Sequence, residues 1–201
     1  MVALGCGEET PEKGKDDKEL SVLKPERKYD PDAIHISRDL KNEHFRSPTS
    51  PLPESEAADF TGLNYFIPSP KYHVQADFVE FENPDTVEIL TTKIYDIKQM
   101  IRAGKFKFAI NGEDCALTAY LSSAPEMQDE YFVPFKDSTS GVTTYGGGRY
   151  LDIRVRDTND YIVDFNYAYN PYCAYNKKYS CPLVPDENIL PVAIQAGEKK
   201  Y

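Results

Sequence analysis

The sequence predicts a mainly β fold, a single antiparallel β-barrel or sandwich domain with one or two short N-terminal helices. Three observations carry that reading. From Lys71 onward the apolar residues recur at every second position, with Tyr72, Val74, Ala76 and Phe78 on one face and His73, Gln75, Asp77 and Val79 on the other. Asn111-Gly112 stands between two strand-like runs, Phe106–Ile110 and Cys115–Leu121, and Asn-Gly is the turn chemistry that matches the twist of a β-hairpin. Further short runs follow, and no long helical pattern interrupts them.

Taken in order, residues 1–28 are polar and carry charges of both signs, a composition that cannot bury enough surface to fold. They read as a disordered tether ahead of one domain over residues 29–201. Met1-Val2-Ala3-Leu4-Gly5-Cys6 ends as a bacterial lipoprotein signal ends, in a Cys after a small residue, although the positively charged region and most of the apolar core expected upstream are missing. Cys6 is therefore the lipidation candidate, which places the domain in the cell envelope on a lipid anchor, periplasmic or surface. The alternative is a cytoplasmic protein with an incidental Cys near its start.

Pro31–Arg46 is the best helix, capped by Asp30 or Asp32 and carrying Ile34, Ile36, Leu40 and Phe45. Ser47-Pro48-Thr49-Ser50-Pro51-Leu52-Pro53 interrupts regular structure, and Glu54–Phe60 is a short second helix. Beyond the first alternating run, strands are expected at Val87–Thr92, Ile94–Arg102, Phe106–Ile110, Cys115–Leu121, Tyr131–Phe135, Arg149–Val155, Tyr161–Phe165 and Leu190–Ala196.

Charge narrows the partners. Lys and Arg total 23 against 33 Asp and Glu, a formal net charge of -10, and such a field repels phosphate and anionic lipid. Nucleic acid is excluded on that ground. No apolar run reaches the roughly eighteen residues that a membrane helix needs, so membrane contact is expected only through an anchor at Cys6.

The unusual residues lie in two stretches. One is Phe135–Asp152, with Gly146-Gly147-Gly148-Arg149-Tyr150-Leu151-Asp152 at its end. The other starts at Asp164-Phe165-Asn166-Tyr167-Ala168-Tyr169-Asn170-Pro171-Tyr172-Cys173-Ala174-Tyr175 and continues through Ser180-Cys181-Pro182 and Asp186-Glu187-Asn188 to Ala196-Gly197-Glu198-Lys199. In this order they resemble the hallmark of the bacterial and archaeal family known as domain of unknown function 1684, from about Tyr72 to Lys199, and the helical opening resembles its lipoprotein-like branch. The resemblance implies a shared β fold and an equivalent site. It implies no established activity, substrate or catalytic residue.

The residues themselves allow several chemistries. The three glycines precede a strand rather than a helix, so a turn fits them better than a phosphate cradle. Arg149 can pair with a ligand carboxylate or with the protein's own Asp152 or Asp164. If Tyr161–Phe165 is a strand that continues, Asp164 and Asn166 point to one face, opposite Phe165. The tyrosines of residues 161–179 either pack on the barrel or form an aromatic wall for a small polar, carbohydrate-like ligand. The ligand-binding candidates are then Arg149, Asp152, Asp164, Asn166, Tyr169, Asn170, Tyr172 and Glu187.

A hydrolase built on two carboxylates from Asp137, Asp152, Asp164 and Glu187 is the second reading. A structural or interaction protein without a ligand is the third. Cys173 and Cys181 are disulfide candidates. No metal and no cofactor are expected, since His35, His44 and His73 all lie outside the motif. Cys115 reads as a small buried hydrophobe.

Overall fold

The structure is a computed structural model describing residues 28–201, so Cys6 and most of the expected tether lie outside the described residues. Helix α1, Pro31–Arg46, starts where the side chain of Asp30 accepts the backbone N–H groups of Asp32 and Ala33 at 3.0 and 3.1 Å, with Pro31 in the first turn. Its buried residues are Ile34 and Phe45, and Phe45 packs with Leu52, Phe60 and Tyr175 in a small core separate from the main one. Helix α2, Glu54–Ala57, is a single turn, shorter than the 54–60 expected.

Six strands follow: β1 His73–Leu90, β2 Ile97–Ile110, β3 Glu113–Ser122, β4 Glu130–Phe135, β5 Arg149–Arg154 and β6 Asp160–Asp164. They form one antiparallel sheet in the order β5-β4-β3-β2-β1-β6. The two edge strands are consecutive in the chain, joined by residues 155–159 alone. A flat six-stranded sheet would separate its edges by about 24 Å at the usual strand spacing, more than the roughly 20 Å that such a connection can reach. The sheet must curl, and it forms a nearly closed barrel.

The interior records the same closure. Phe78 of β1, Phe106 of β2, Tyr131 of β4 and Tyr161 of β6 contact one another in all six pairings, with ring centroids 4.6 to 6.2 Å apart. Rings from β4 and β6, strands that share no hydrogen bond, meet only because the barrel is rolled. Phe108, Phe135 and Phe165 fill the other end.

Three expectations need correction. The alternating run after Lys71 and most of the strand expected at Val87–Thr92 are one strand, β1, which ends at Leu90, and the strands expected at Ile94–Arg102 and Phe106–Ile110 are similarly joined in β2, which begins only at Ile97 because residues 93–95 turn. Bulges absorb the irregular residues between the halves: Glu80 faces Gly104 and Asp85 faces Arg102, so residues 81–84 oppose a single residue. Pro84 is tolerated because the bulge frees it from the ladder. Leu190–Ala196 belongs to no strand of the sheet. That segment crosses one end of the barrel, bonded mainly to residues 136–138 and to the Arg149 side chain. The expected hairpin turn is present, with positive φ at both Asn111 (56°) and Gly112 (83°).

Gly104 sits at this double bulge, where an added Cβ would stand 2.6 Å from the Val79 carbonyl oxygen and 2.7 Å from Phe78 Cζ. Gly104→Ala is expected to cost about 1–3 kcal/mol through overpacking. Urea unfolding measures this directly, and an unchanged midpoint would mean that the two strands can separate locally without cost.

Candidate functional site

Along β5 the odd-numbered residues face inward, so Arg149 enters the barrel beside Leu151 and Ile153 instead of facing solvent. It is fully buried. Nη2 donates to Asp137 Oδ2 and to the Ile194 carbonyl, both at 2.8 Å, while Nη1 donates to the carbonyls of Ala196 and Glu198. The guanidinium also lies 5.2 Å from the centre of the Phe135 ring. Burial lowers its pKa, and the Asp137 carboxylate opposes that shift. The partner is thus neither Asp152 nor Asp164. Those two carboxylates occupy other places, and Asp137 reaches inward because its Oδ1 closes the Ser/Thr turn, accepting Thr139 N–H at 2.7 Å and Thr139 O–H at 2.6 Å.

Gly148 makes the approach of this turn possible. Its φ is +95°, and a Cβ there would stand 2.7 Å from the Phe135 carbonyl. The glycine run therefore serves a tight turn into β5.

Asp164 lies on the other face. The strand ends at this residue, and Phe165–Tyr167 form a 3-10 turn that Asp164 caps, so Asp164 and Asn166 do not continue one strand face as expected. Asp164 Oδ1 accepts the backbone N–H of Asn166 at 2.9 Å and its Nδ2 at 2.7 Å, and Oδ2 stands 2.8 Å from His73 Nδ1. Asn166 in turn holds Ser69 through both backbone groups at 2.9 Å, and its carbonyl accepts from Arg38 of α1.

A third cluster forms around Glu198, a buried carboxylate not picked out from the sequence. It accepts from Lys41 Nζ at 2.5 Å, Tyr175 O–H at 2.5 Å, the Asn170 backbone N–H at 2.7 Å and Tyr65 O–H at 3.4 Å. Burial and the Glu198 charge raise the pKa of both tyrosines, so they stay donors. Asn170 Nδ2 donates to the Lys199 carbonyl at 2.8 Å.

The remaining candidates are dispersed. Tyr169 O–H donates to Asp152 at 2.8 Å, and its ring lies 5.0 Å from Lys41 Nζ. Tyr172 packs on His44 and Tyr179. Glu187, on a 3-10 turn at Asp186–Asn188, accepts from Tyr120 O–H at 2.6 Å and meets Arg102 at 3.5 Å. Asp137, Asp152, Asp164 and Glu187 each have different hydrogen-bond partners, and no two share one among the described residues. Arg149 Nε and Asn170 Oδ1 are the two buried motif atoms with no partner among the described residues. Cys173 and Cys181 are free thiols in contact, with the Cys173 N–H 3.1 Å from Cys181 Sγ. Among the described residues no group of three or more His, Cys, Asp or Glu side chains is placed to hold a metal.

This stitched pattern, from the Gly148-Arg149 turn to Glu198, lies within the match to a family model described as a protein of unknown function (DUF1684), which covers residues 58–199. The chain belongs to that family. The match begins before the residue at which the sequence resemblance was legible, so the segment leading into β1 belongs to the family as well. A solved relative is the solution NMR structure of an uncharacterized protein from Haloarcula marismortui, 37% identical, covering 83% of this chain and 91% of that one with a TM-score of 0.66. No curated protein matches.

Within this DUF1684 chain the Arg149–Asp137 pair is testable by a double-mutant cycle. Removing either partner leaves a buried charge, so Arg149→Met or Asp137→Ala alone is expected to cost about 3–5 kcal/mol. The double variant should lose clearly less than the sum, as read from urea unfolding. Additive losses would mean that the pair has no net coupling.

Proposed function

We propose that the chain is a non-catalytic binding domain, in which the family motif builds the scaffold and a small polar ligand binds elsewhere on the barrel. The observation that carries this reading is the partnering of the motif: every candidate side chain there makes at least one contact within the protein, and only Arg149 Nε and Asn170 Oδ1 among their buried polar atoms lack a partner among the described residues. A substrate would have to displace those bonds at the desolvation cost of each group, about 1–3 kcal/mol. A carboxylate-pair hydrolase gains no support from four carboxylates held by four sets of partners.

The surface that favours a ligand is the outer face of β1–β3. Ala109 and Ala116 keep the sheet low there, and Gln75, Asp77, Lys107 and Asp114 stand around them in an open groove of about 680 Å³. Asp77, Lys107 and Ala116 share one cross-strand row, with Ala109 and Asp114 in the next. Lys107, Asp77 and Asp114 take part in no ion pair among the described residues. Donors and acceptors of both charges over a small-residue floor suit a small polar molecule, such as an amino sugar or an amino acid. Cys6 acylation would hold this groove at the cell envelope, and the acidic surface suits a domain kept off anionic lipid by its tether.

Titrating the labelled protein with neutral sugars, amino sugars and amino acids tests the groove by NMR. Shift changes are expected at Ala109 and Ala116, and Lys107→Ala with Asp114→Ala should weaken binding at least about tenfold, the weight of one lost charge-assisted contact, without lowering Tm. Changes centred on Arg149 or Asp164, or none with any compound, would reject this placement. For the anchor, Cys6→Ser should move the full-length protein from the detergent phase to the aqueous phase.

A further inference from the structure

Cys173 and Cys181 are used by neither the scaffold clusters nor the groove. Cys173 lies on the 3-10 turn Tyr172–Ala174 and is half-buried, and Cys181 is buried. The backbone N–H of Cys173 points at Cys181 Sγ from 3.1 Å, and the Tyr145 hydroxyl lies 3.9 Å from Cys173 Sγ. We propose that Cys173 and Cys181 form a redox-active dithiol that exchanges with small-molecule disulfides, Cys173 being the attacking sulfur and Cys181 the resolving one.

The asymmetry between the sulfurs supports these roles. Hydrogen bonds from Cys181, Tyr145 and Thr92 lower the Cys173 pKa to about 7, against burial, while donating to Cys173 and burial raise that of Cys181. A thiol at about 7 is substantially thiolate at neutral pH, unlike an ordinary Cys at about 8.5. Cys115, whose pKa is raised by burial, has no such help. Solvent access follows the same order, since Cys173 is the more exposed of the pair.

In the first step the Cys173 thiolate attacks one sulfur of the disulfide RS–SR. A new S–S bond forms, the old one breaks, and RS⁻ leaves with the electron pair. Cys181 then gives its proton to the released RS⁻ and attacks Cys173 Sγ, expelling the second RS⁻. The protein dithiol is oxidised to a disulfide, and RS–SR is reduced to one thiol and one thiolate, which water protonates. The chain around Cys181 is held in place on the barrel. Cys181 O accepts Thr92 N–H at 2.9 Å and Leu90 O accepts Leu183 N–H at 2.7 Å, tying it to the far end of the β1–β2 hairpin.

Oxidised glutathione is a suitable probe for the full-length folded protein, with mass analysis of peptides to separate the pair from Cys6 and Cys115. The wild type should acquire one Cys173–Cys181 disulfide that dithiothreitol reverses under native conditions. Cys181→Ser should accumulate the glutathione adduct on Cys173, at a rate rising through about pH 7. Cys173→Ser should react at Cys181 at least about tenfold more slowly at neutral pH, as expected when a raised pKa depletes the thiolate. Equal reaction of Cys181 in that variant overturns the proposal. So does reaction only after unfolding, or a disulfide that native reduction cannot open, since that would be a fixed cross-link.

Discussion

A guanidinium sealed inside a barrel must find a partner for nearly every donor, and that requirement organises one end of this molecule. Arg149 enters from β5 with no access to solvent. Its carboxylate, Asp137, neutralises the charge, but one carboxylate cannot fill the remaining donors. Backbone carbonyls of Ile194, Ala196 and Glu198 do so. The C-terminal segment is consequently bent around one side chain, which fixes its path beyond Val192, where its backbone bonds to residues 136–138 end. A hydrophobic residue at position 149 would fill space but could not specify that path.

The path has consequences further out. Once Arg149 holds the Glu198 carbonyl, the Glu198 side chain is presented to the Asn170–Tyr175 loop and to Lys41 on α1. The helix is then fastened to this unit by Lys41 to Glu198 and by Arg38 to the carbonyls of Phe66 and Asn166. Barrel interior, C-terminal segment, aromatic loop and helix form one chain of dependence. Widely spaced motif residues therefore belong to a common structural unit although they share no single pocket.

This explains what could be read from the sequence. The strands were legible wherever one face was buried, because burial imposes a period of two on the residues from Tyr72 to Phe78 and from Phe106 to Ile110. Where β1 and β2 leave the core, residues 79–88 are mostly exposed and the pattern vanishes, so the continuous strands looked like shorter ones. The special residues Arg149, Asp164, Asn166 and Asn170 were visible as polar groups amid apolar runs. Their partners were not. Asp137 and Arg149 are joined across a turn, Glu198 and Lys41 across most of the chain, and spacing along the sequence carries no information about such pairs.

The local end of β6 shows why pairing decides function as well as fold. Had the strand continued past Asp164, Asp164 and Asn166 would have pointed together into one space and required a common partner. Instead the Asp164 carboxylate bonds the Asn166 backbone and turns the chain into a 3-10 turn, so the two side chains bind each other. Asn166 then spends its other amide atoms on Ser69, fastening the segment that leads into β1. These polar groups supply the hydrogen bonds by which the barrel holds the segment that leads into β1. The charged side chains of the β1–β3 groove, Asp77, Lys107 and Asp114, are by contrast exposed and need no protein partner, since water solvates them.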